Sequence, residues 1–584
     1  MGATGGLSTR ASNTAYNPPV SPGRIINDKA VGESSSKEAI MNGLAARLVP
    51  AILPAVLVST AFAQQAAPRE KKADVHRKPV FADLLFRGAT IYDGSGRPPL
   101  VGDVAVRNGK VVSVGDTSDV MTVAQTIDCR GLAIAPGFID LHNHSDSPIV
   151  TAATRANVNY LTQGCTTIVT GNCGFGPVDV AAYLAKIDEK GAGTNVAHLL
   201  PHGDLRDAAL GKAGREPTSV ELTKMRELAD KAMRDGAWGM STGLIYVPGT
   251  YAKTEEIVEI AKVVGRHGGI YASHIRNEGT QLLAAVEEAL KIGRDAELPV
   301  HVSHFKASGR NAWGTLHVAA EMIEKERAAG RLVTADQYPY TASSTSLEAT
   351  LLPAWSREGG RRELEKRLRD PATRAKIRAA VEKELAGKVR VQIAGYGPRR
   401  DFVGKSVEEI AAQEKREPVE MVLEMEANGG ARVVNFGMNE DDVRQAMRLP
   451  WVATASDGSA KVPDADQPHP RSFGTFTRKL GVYALKEQVV PLEQAVRSSS
   501  GLPADILGLT DRGYLKPGQA ADVVVFDPKQ IADRATYDKP YEYSVGVRYV
   551  YVNGVPAVYE GVPTGALAGR ALRHVSRIEK SDSQ

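Results

Sequence analysis

The chain has only three cysteines in 584 residues, Cys129, Cys165 and Cys173. An odd number leaves at least one thiol outside any intramolecular disulfide, which excludes a fully paired disulfide framework. It also lacks a charge excess: 72 Lys and Arg against 68 Asp and Glu give a net charge of +4. No general attraction to nucleic acid or to an anionic membrane surface follows. The basic run Arg69–Lys72 reads as solvated linker. No repeat of fixed period is present. Nor is there an unbroken apolar run of the roughly 20 residues that a membrane span needs, since Pro50 and Pro54 interrupt the most apolar stretch.

What is present is the composition of a globular protein, 42% hydrophobic and 24% charged. The length exceeds what one small core requires and suits a large barrel with an accessory domain. From Met41 the chain reads MNGLAARLVPAILPAVLVSTAFAQQA, with Arg47 ahead of the apolar run and Ala61-Phe62-Ala63 closing it. That is the order of a secretory signal, a basic n-region, an apolar h-region and a small-x-small cleavage site. Residues 1–80 therefore read as an extension holding a signal at about 41–63 and a linker, and the mature protein as periplasmic or secreted without a stable membrane span. Translation is expected to start at Met41. N-terminal sequencing of the exported protein should then find Gln64 or a near neighbour, and finding Gly2 would refute it.

Two β-rich pieces flank the main body. Residues 81–134 alternate short apolar runs with turns, including Asn108-Gly109, and residues 506–575 have the same texture with Asn553-Gly554. Asn-Gly fits the type I′ turn of a tight hairpin. These pieces are expected to pair into one small β-sandwich built from both chain ends. Between them, over 135–505, short runs such as GIYASH and LPVHVSH alternate with helical stretches such as SVELTKMRELADKAMRDG and TQLLAAVEEALKIGRDAE. Repeated strand–helix units of this kind predict an α/β fold, a (β/α)8 TIM-like barrel. A Lys/Arg/Glu-dense block from Arg357 to Arg416, helical in pattern with few strands, predicts an insertion at about 345–430 near the barrel mouth.

In such a barrel the C-terminal ends of the strands converge on one site. FIDLHNH places His142 and His144 two apart, on one face of a strand. TTIVTGNCG ends at Cys173, GIYASH at His274, PVHVSH at His304 and WVATASD at Asp457. His144 to Cys173 is 29 residues and His274 to His304 is 30, about one strand–helix unit each; Cys173 to His274 is 101 and His304 to Asp457 is 153. The spacing assigns these residues to strands one, two, five, six and eight. A single strand-end histidine is most often a hydrogen-bonded polar group and a single cysteine a small hydrophobe. Six such residues at matching places point to a metal. Imidazole, thiolate and one carboxylate suit Zn²⁺ and disfavour Mg²⁺ or Ca²⁺. His202 reads as an orienting or structural group. His301 should face away from His304, and His198, His267, His317, His469 and His574 are expected not to be ligands.

The motifs PGFIDLHNHSD, GNCG, GMSTGLIYVPGTYA, HIRNEG, VSHFKASG, DQYPYTASSTSL, ASDGSA and HPRSFGTF together resemble the N-acyl-D-amino-acid deacylases of the amidohydrolase superfamily, from about Asp83 to Arg573. The HxH pair marks only the superfamily; GNCG with HPRSFGTF is far more specific. The resemblance implies that Cys173 replaces the bridging carboxylated lysine of most binuclear members. Cys173, His274 and His304 would then hold one tightly bound Zn²⁺, while His142, His144 and Asp457 form a second position, weaker or empty. It implies Asp457 as catalytic acid/base, Arg471 as clamp for the substrate α-carboxylate, and Lys306, Tyr338 or Tyr340, and Ser346 along the substrate site. Asn277 stands where an Asp is often seen. The implied activity is hydrolysis of the amide of N-acyl-D-amino acids or related L-D-dipeptides. The rival readings are a cyclic-amide hydrolase, which should carry a bridging lysine, and a non-catalytic binding protein on the same scaffold, which should have lost ligands. No motif addresses the acyl group, the side-chain preference or the oligomeric state.

Overall fold

The computed structural model describes residues 80–578; the stretch read as a secretory signal and the linker up to residue 79 lie outside the described residues. The site is carried by short, buried parallel strands. They are β1 (Phe138–Asp140), β2 (Cys165–Thr170), β3 (Asn195–His198), β4 (Gly239–Gly243), β5 (Ile270–His274), β6 (Val300–Val302), β7 (Val333–Gln337) and β8 (Val452–Thr454). β1, β2 and β3 form one sheet. The second sheet runs from Leu200–Pro201, directly after β3, through β4, β5, β6 and β7 to β8. Every pairing within the two sheets is parallel. At the far seam Asn143 bridges Gly458, the Asp457 N–H donates to His142 O at 2.8 Å and the His144 N–H to Gly458 O at 2.7 Å.

Helices separate the strands and pack their apolar stripes against them. Ser219–Arg234 starts at a capping box, Thr218 with Glu221, and buries Met225, Ala229, Ala232 and Met233. That spacing is the 3.6-residue period read from the sequence. Leu282–Ala296 behaves in the same way, burying Ala285, Val286, Ala289 and Leu290. No helix among the described residues is long and apolar enough to cross a membrane.

The chain-end segments share one mixed, nine-stranded sheet, in which Val523–Phe526 pairs antiparallel with Ala133–Pro136. This sheet curls. Phe86 and Tyr551 stand on strands separated by two others, roughly 14 Å apart if flat, yet their rings meet edge to face at 5.3 Å. Val111 N also donates to Gln519 O at 2.9 Å, joining the sheet's edge hairpin to the segment before Val523.

The segment read as an insertion is mostly helical, as its pattern predicts, and is framed by strands. It begins and ends with strands: Ala342–Ser346, Arg390–Gly395 and Arg432–Phe436 make a three-stranded antiparallel sheet with Arg432–Phe436 central. Helices including Arg361–Arg369, Pro371–Ala386 and Pro418–Ala427 pack on it around a separate core that contains Leu364, Ile377, Val391 and Val433. These strands pair across long stretches of sequence, so no local periodicity announces them.

Candidate metal centre

All six residues expected to be ligands meet at one end of the parallel strands. Cys173 Sγ lies 3.2 Å from His142 Nε2, 3.7 Å from His274 Nδ1 and 3.8 Å from His304 Nε2. Asp457 Oδ1 lies 3.1 Å from His144 Nε2 and 3.5 Å from His142 Nε2. Donor atoms roughly 3.3–3.8 Å apart are the edges of a tetrahedron with Zn–N and Zn–S bonds of about 2.0–2.3 Å. The groups His142–Cys173–His304 and His142–His144–Asp457 each have ligand atoms within 4.8 Å of one another. His274 Nε2 and His142 Nδ1 are buried without a hydrogen-bond partner among the described residues.

The backbone bends to bring these side chains together. Cys173, His304 and Asp457 have φ of 53°, 36° and 51°. Few residues with a Cβ adopt this left-handed region, and three of the ten that do so among the described residues stand at this centre. The turn that carries Cys173 also needs space: a Cβ at Gly243 would stand 2.1 Å from Cys173 O. Gly243→Ala is expected to displace the Cys173 turn, lower stability by about 1–3 kcal/mol and weaken zinc retention. Unchanged thermal unfolding and metal content would refute that account.

Electrostatics separate Cys173 from the other cysteines. Burial pushes Cys129 up to about 12 and raises Cys165 well above the usual thiol range. Burial acts on Cys173 as well, but the imidazoles of His142, His144 and His274 outweigh it and hold the thiol well below its ordinary value. That shift favours the thiolate, the metal-binding form. None of the three cysteines is in a disulfide. Despite its burial, Asp457 is held well below the carboxylate range by Arg471 and His142. His144, which is half-buried, is raised to about 9 by Asp457 and Cys173 against the effect of desolvation.

Two cavities open on the centre, of about 580 and 460 Å³, and share Tyr246, Ser344, Thr345 and Asp457. Arg471 lines the larger, with Phe175, Val247 and Leu364; Lys306 lines the smaller. Arg471 is buried, donates to Asp457 Oδ2 at 2.7 Å and to Ser344 O at 3.1 Å, and lies 4.9 Å over the Tyr338 ring. Lys306 Nζ stands 5.7 Å from the same ring. Tyr338 is thus beneath the site. Tyr340 is turned away and packs on His469, Tyr537 and Arg478. A turn closed by Tyr340 N donating to Tyr338 O at 3.0 Å, with Pro339 between, parts the two tyrosines. Ser346 lines the larger cavity, but its hydroxyl is engaged as the helix cap that accepts from Ala349 N at 3.2 Å.

Several residues about which the sequence was silent also contribute. Glu278 Oε1 lies 2.8 Å from His304 Nδ1 and 2.5 Å from Lys306 Nζ, so it holds both the imidazole of His304 and the ammonium of Lys306. Tyr246 hydrogen-bonds Thr345 Oγ1 at 2.9 Å, joining the insertion to the cavity wall. His469 is not a ligand; it donates from Nε2 to Ala342 O at 2.9 Å and accepts from Arg471 N at 3.0 Å. Burial and the neighbouring Arg471 hold it well below the usual imidazole range, which keeps it neutral for both bonds. His202 is structural, with Nε2 3.2 Å from the buried Glu256. Asn277 accepts from Gly279 N at 2.9 Å and so closes the loop that carries Glu278. His301 departs from expectation. It does not point away from the centre but reaches Asp336 Oδ2 at 2.8 Å. β6 ends at Val302 and His304 lies beyond it with positive φ, so strand alternation does not relate the two histidines.

The sequence profile of the amidohydrolase family matches residues 125–558. The chain belongs to that family. Within it, the chain is 36% identical over 513 residues to D-aminoacylase from Alcaligenes xylosoxydans xylosoxydans, covering 84% of this chain and 97% of the relative. N-acyl-D-glutamate deacylase of the same organism is 33% identical over 520 residues, 85% of this chain and 97% of the relative. The crystal structure of N-acyl-D-glutamate deacylase from Bordetella bronchiseptica, complexed with zinc and a phosphonate inhibitor, superposes with a TM-score of 0.72 at 32% identity, covering 85% of this chain and 100% of that one.

Proposed function

We propose that this protein hydrolyses the amide bond of N-acyl-D-amino acids with zinc, releasing a carboxylate and a free D-amino acid. The observation that carries the reading is a thiolate, Cys173, 3.2–3.8 Å from His142, His274 and His304 and beside the Asp457–Arg471 pair. The donor set of nitrogen, sulfur and one carboxylate fits zinc. Cys173, His274 and His304 would hold the tightly bound ion; His142, His144 and Asp457 would make the second position, weaker or empty. When bound, zinc supplies Lewis acidity that polarises a carbonyl and acidifies water.

The chain's own groups do the rest. Asp457, ionised and facing His144, accepts a proton from the attacking water and passes it to the departing nitrogen. Arg471 presents a planar guanidinium in a buried wall, suited to fork a carboxylate. Lys306 adds a second cation across the centre. With the α-carboxylate clamped and the amide carbon beside Asp457, chirality would be read by which α-substituent direction the cavity walls leave open. The acyl group and the D-side chain would occupy the two cavities that meet at Asp457.

Arg471→Ala is expected to raise KM by about 10²-fold or more, the scale of removing one partner of a buried charge pair, while zinc stays bound. Unchanged kinetics would refute the clamp. The function itself is tested by assaying N-acyl-D- and L-amino acids, L-D-dipeptides and hydantoins with the metal content known. Turnover confined to hydantoins, or no turnover with zinc loaded, overturns the reading.

Two architectural readings accompany it. The two parallel sheets are read as one closed (β/α)8 barrel, supported by the passage from β3 into Leu200–Pro201 and by the Asn143–Gly458 bridge at the opposite seam. The curled nine-stranded sheet, with Phe86 against Tyr551, supports a small sandwich domain of about 81–134 plus 506–575 beside a barrel of 135–505. The protein is further proposed to work in the periplasm or outside the cell, on the small-x-small site Ala61-Phe62-Ala63.

A further inference from the structure

We infer that Asp336, held by His301, is the positioning carboxylate that fixes His142 and His304, one ligand from each metal position, in their metal-binding orientations. The inference rests on the zinc reading above. Asp336 is a buried residue of β7. Its Oδ1 accepts from the backbone N–H of His304 at 2.7 Å. Its Oδ2 accepts from His301 Nε2 at 2.8 Å and lies 3.5 Å from His142 Nδ1. Its backbone oxygen accepts from Phe305 N at 2.8 Å. One residue of β7 thereby ties the turn after β6 to the histidine after β1.

The proton positions follow from the partners. The Thr334 hydroxyl stands 2.9 Å from His301 Nδ1 and can donate to it, which leaves the proton on His301 Nε2, facing Asp336. Asp336 is the acceptor nearest His142 Nδ1, a buried atom with no hydrogen-bond partner within normal limits. A proton on that nitrogen, turned to the carboxylate, leaves the Nε2 lone pair directed at Cys173 Sγ, 3.2 Å away, and Asp457 Oδ1, 3.5 Å away. A carboxylate behind a ligand imidazole sets its tautomer and ring orientation in this way. At His304 the same side chain acts on the backbone. Its hydrogen bond helps hold the φ of 36° that turns the ring to Cys173 at 3.8 Å, while the ring's other nitrogen, Nδ1, lies 2.8 Å from both Lys306 Nζ and Glu278 Oε1. His301 keeps the carboxylate from rotating off both tasks.

The test measures zinc dissociation by chelator competition on metal-stripped, reloaded protein, with thermal unfolding of the metal-free form alongside. Asp336→Asn keeps shape and removes the charge; His301→Leu removes the donor; His301→Gln restores an N–H. Asp336→Asn and His301→Leu are expected to weaken zinc binding about 10–100-fold, the usual effect of losing an outer-shell partner, and His301→Gln to recover most of it. Zinc affinity within twofold of wild type in both Asp336→Asn and His301→Leu overturns the inference. So does an equal loss in His301→Gln and His301→Leu that tracks metal-free thermal stability. Should His301→Leu fail to fold, the isosteric Asp336→Asn decides. Failure of the wild-type protein to bind zinc at all would instead reject the zinc reading.

Discussion

Cys173→Ala is expected to purify folded, to lose its zinc on dialysis and to turn over N-acyl-D-amino acids on the order of 10³-fold more slowly or worse. The size of the effect follows from position. The thiolate lies 3.2–3.8 Å from three imidazoles and is the anion that balances them. Removing it leaves His142, which Cys173 helps raise well above the ordinary imidazole range, without its nearest negative partner. The substitution removes a ligand atom and also an anion that would offset the charge of Zn²⁺, and both losses act in the same direction. Zinc content after dialysis is the primary measurement. A mutant that retains full zinc would show that Cys173 packs the turn and nothing more.

Asp457→Asn is the second large effect, with the opposite metal result. Cys173, His274 and His304 are untouched, so the tight zinc should remain while turnover falls about 10³–10⁴-fold, the upper range for loss of a proton-transfer group. Asparagine keeps the shape and a hydrogen bond to Arg471 but cannot accept the water's proton. Measured with the metal content fixed, activity within tenfold of wild type would remove Asp457 as the acid/base.

The sequence revealed the six candidate ligands more readily than the residues that surround them. His142, His144, Cys173, His274, His304 and Asp457 each close a recognisable apolar run, and a parallel α/β sheet gathers such ends on one side. Chemistry and spacing were both local properties of the chain. Glu278 and Tyr246 belong to loops, and the reach of a loop has no period. Asp336 looked like one polar residue within DQYPY, because its importance depends on His142, His301 and His304 arriving from other strands. Tyr338 and Tyr340, two apart, would share a face in a continuing strand; β7 stops at Gln337 and a tight turn sends them apart. Strand pairing in the insertion was hidden for a related reason, since Ser344 meets Val434 across 89 intervening positions that carry mostly helical pattern.

Cys173, His304 and Asp457 all sit at backbone angles that glycine would occupy more cheaply, at about 1 kcal/mol each. Backbone strain taken alone would favour glycine at these corners of the site, yet at Asp457 the buried Arg471 left without its partner costs more than the strain relieved. Thermostabilising libraries should leave these three positions fixed and seek their improvements in the outer helices.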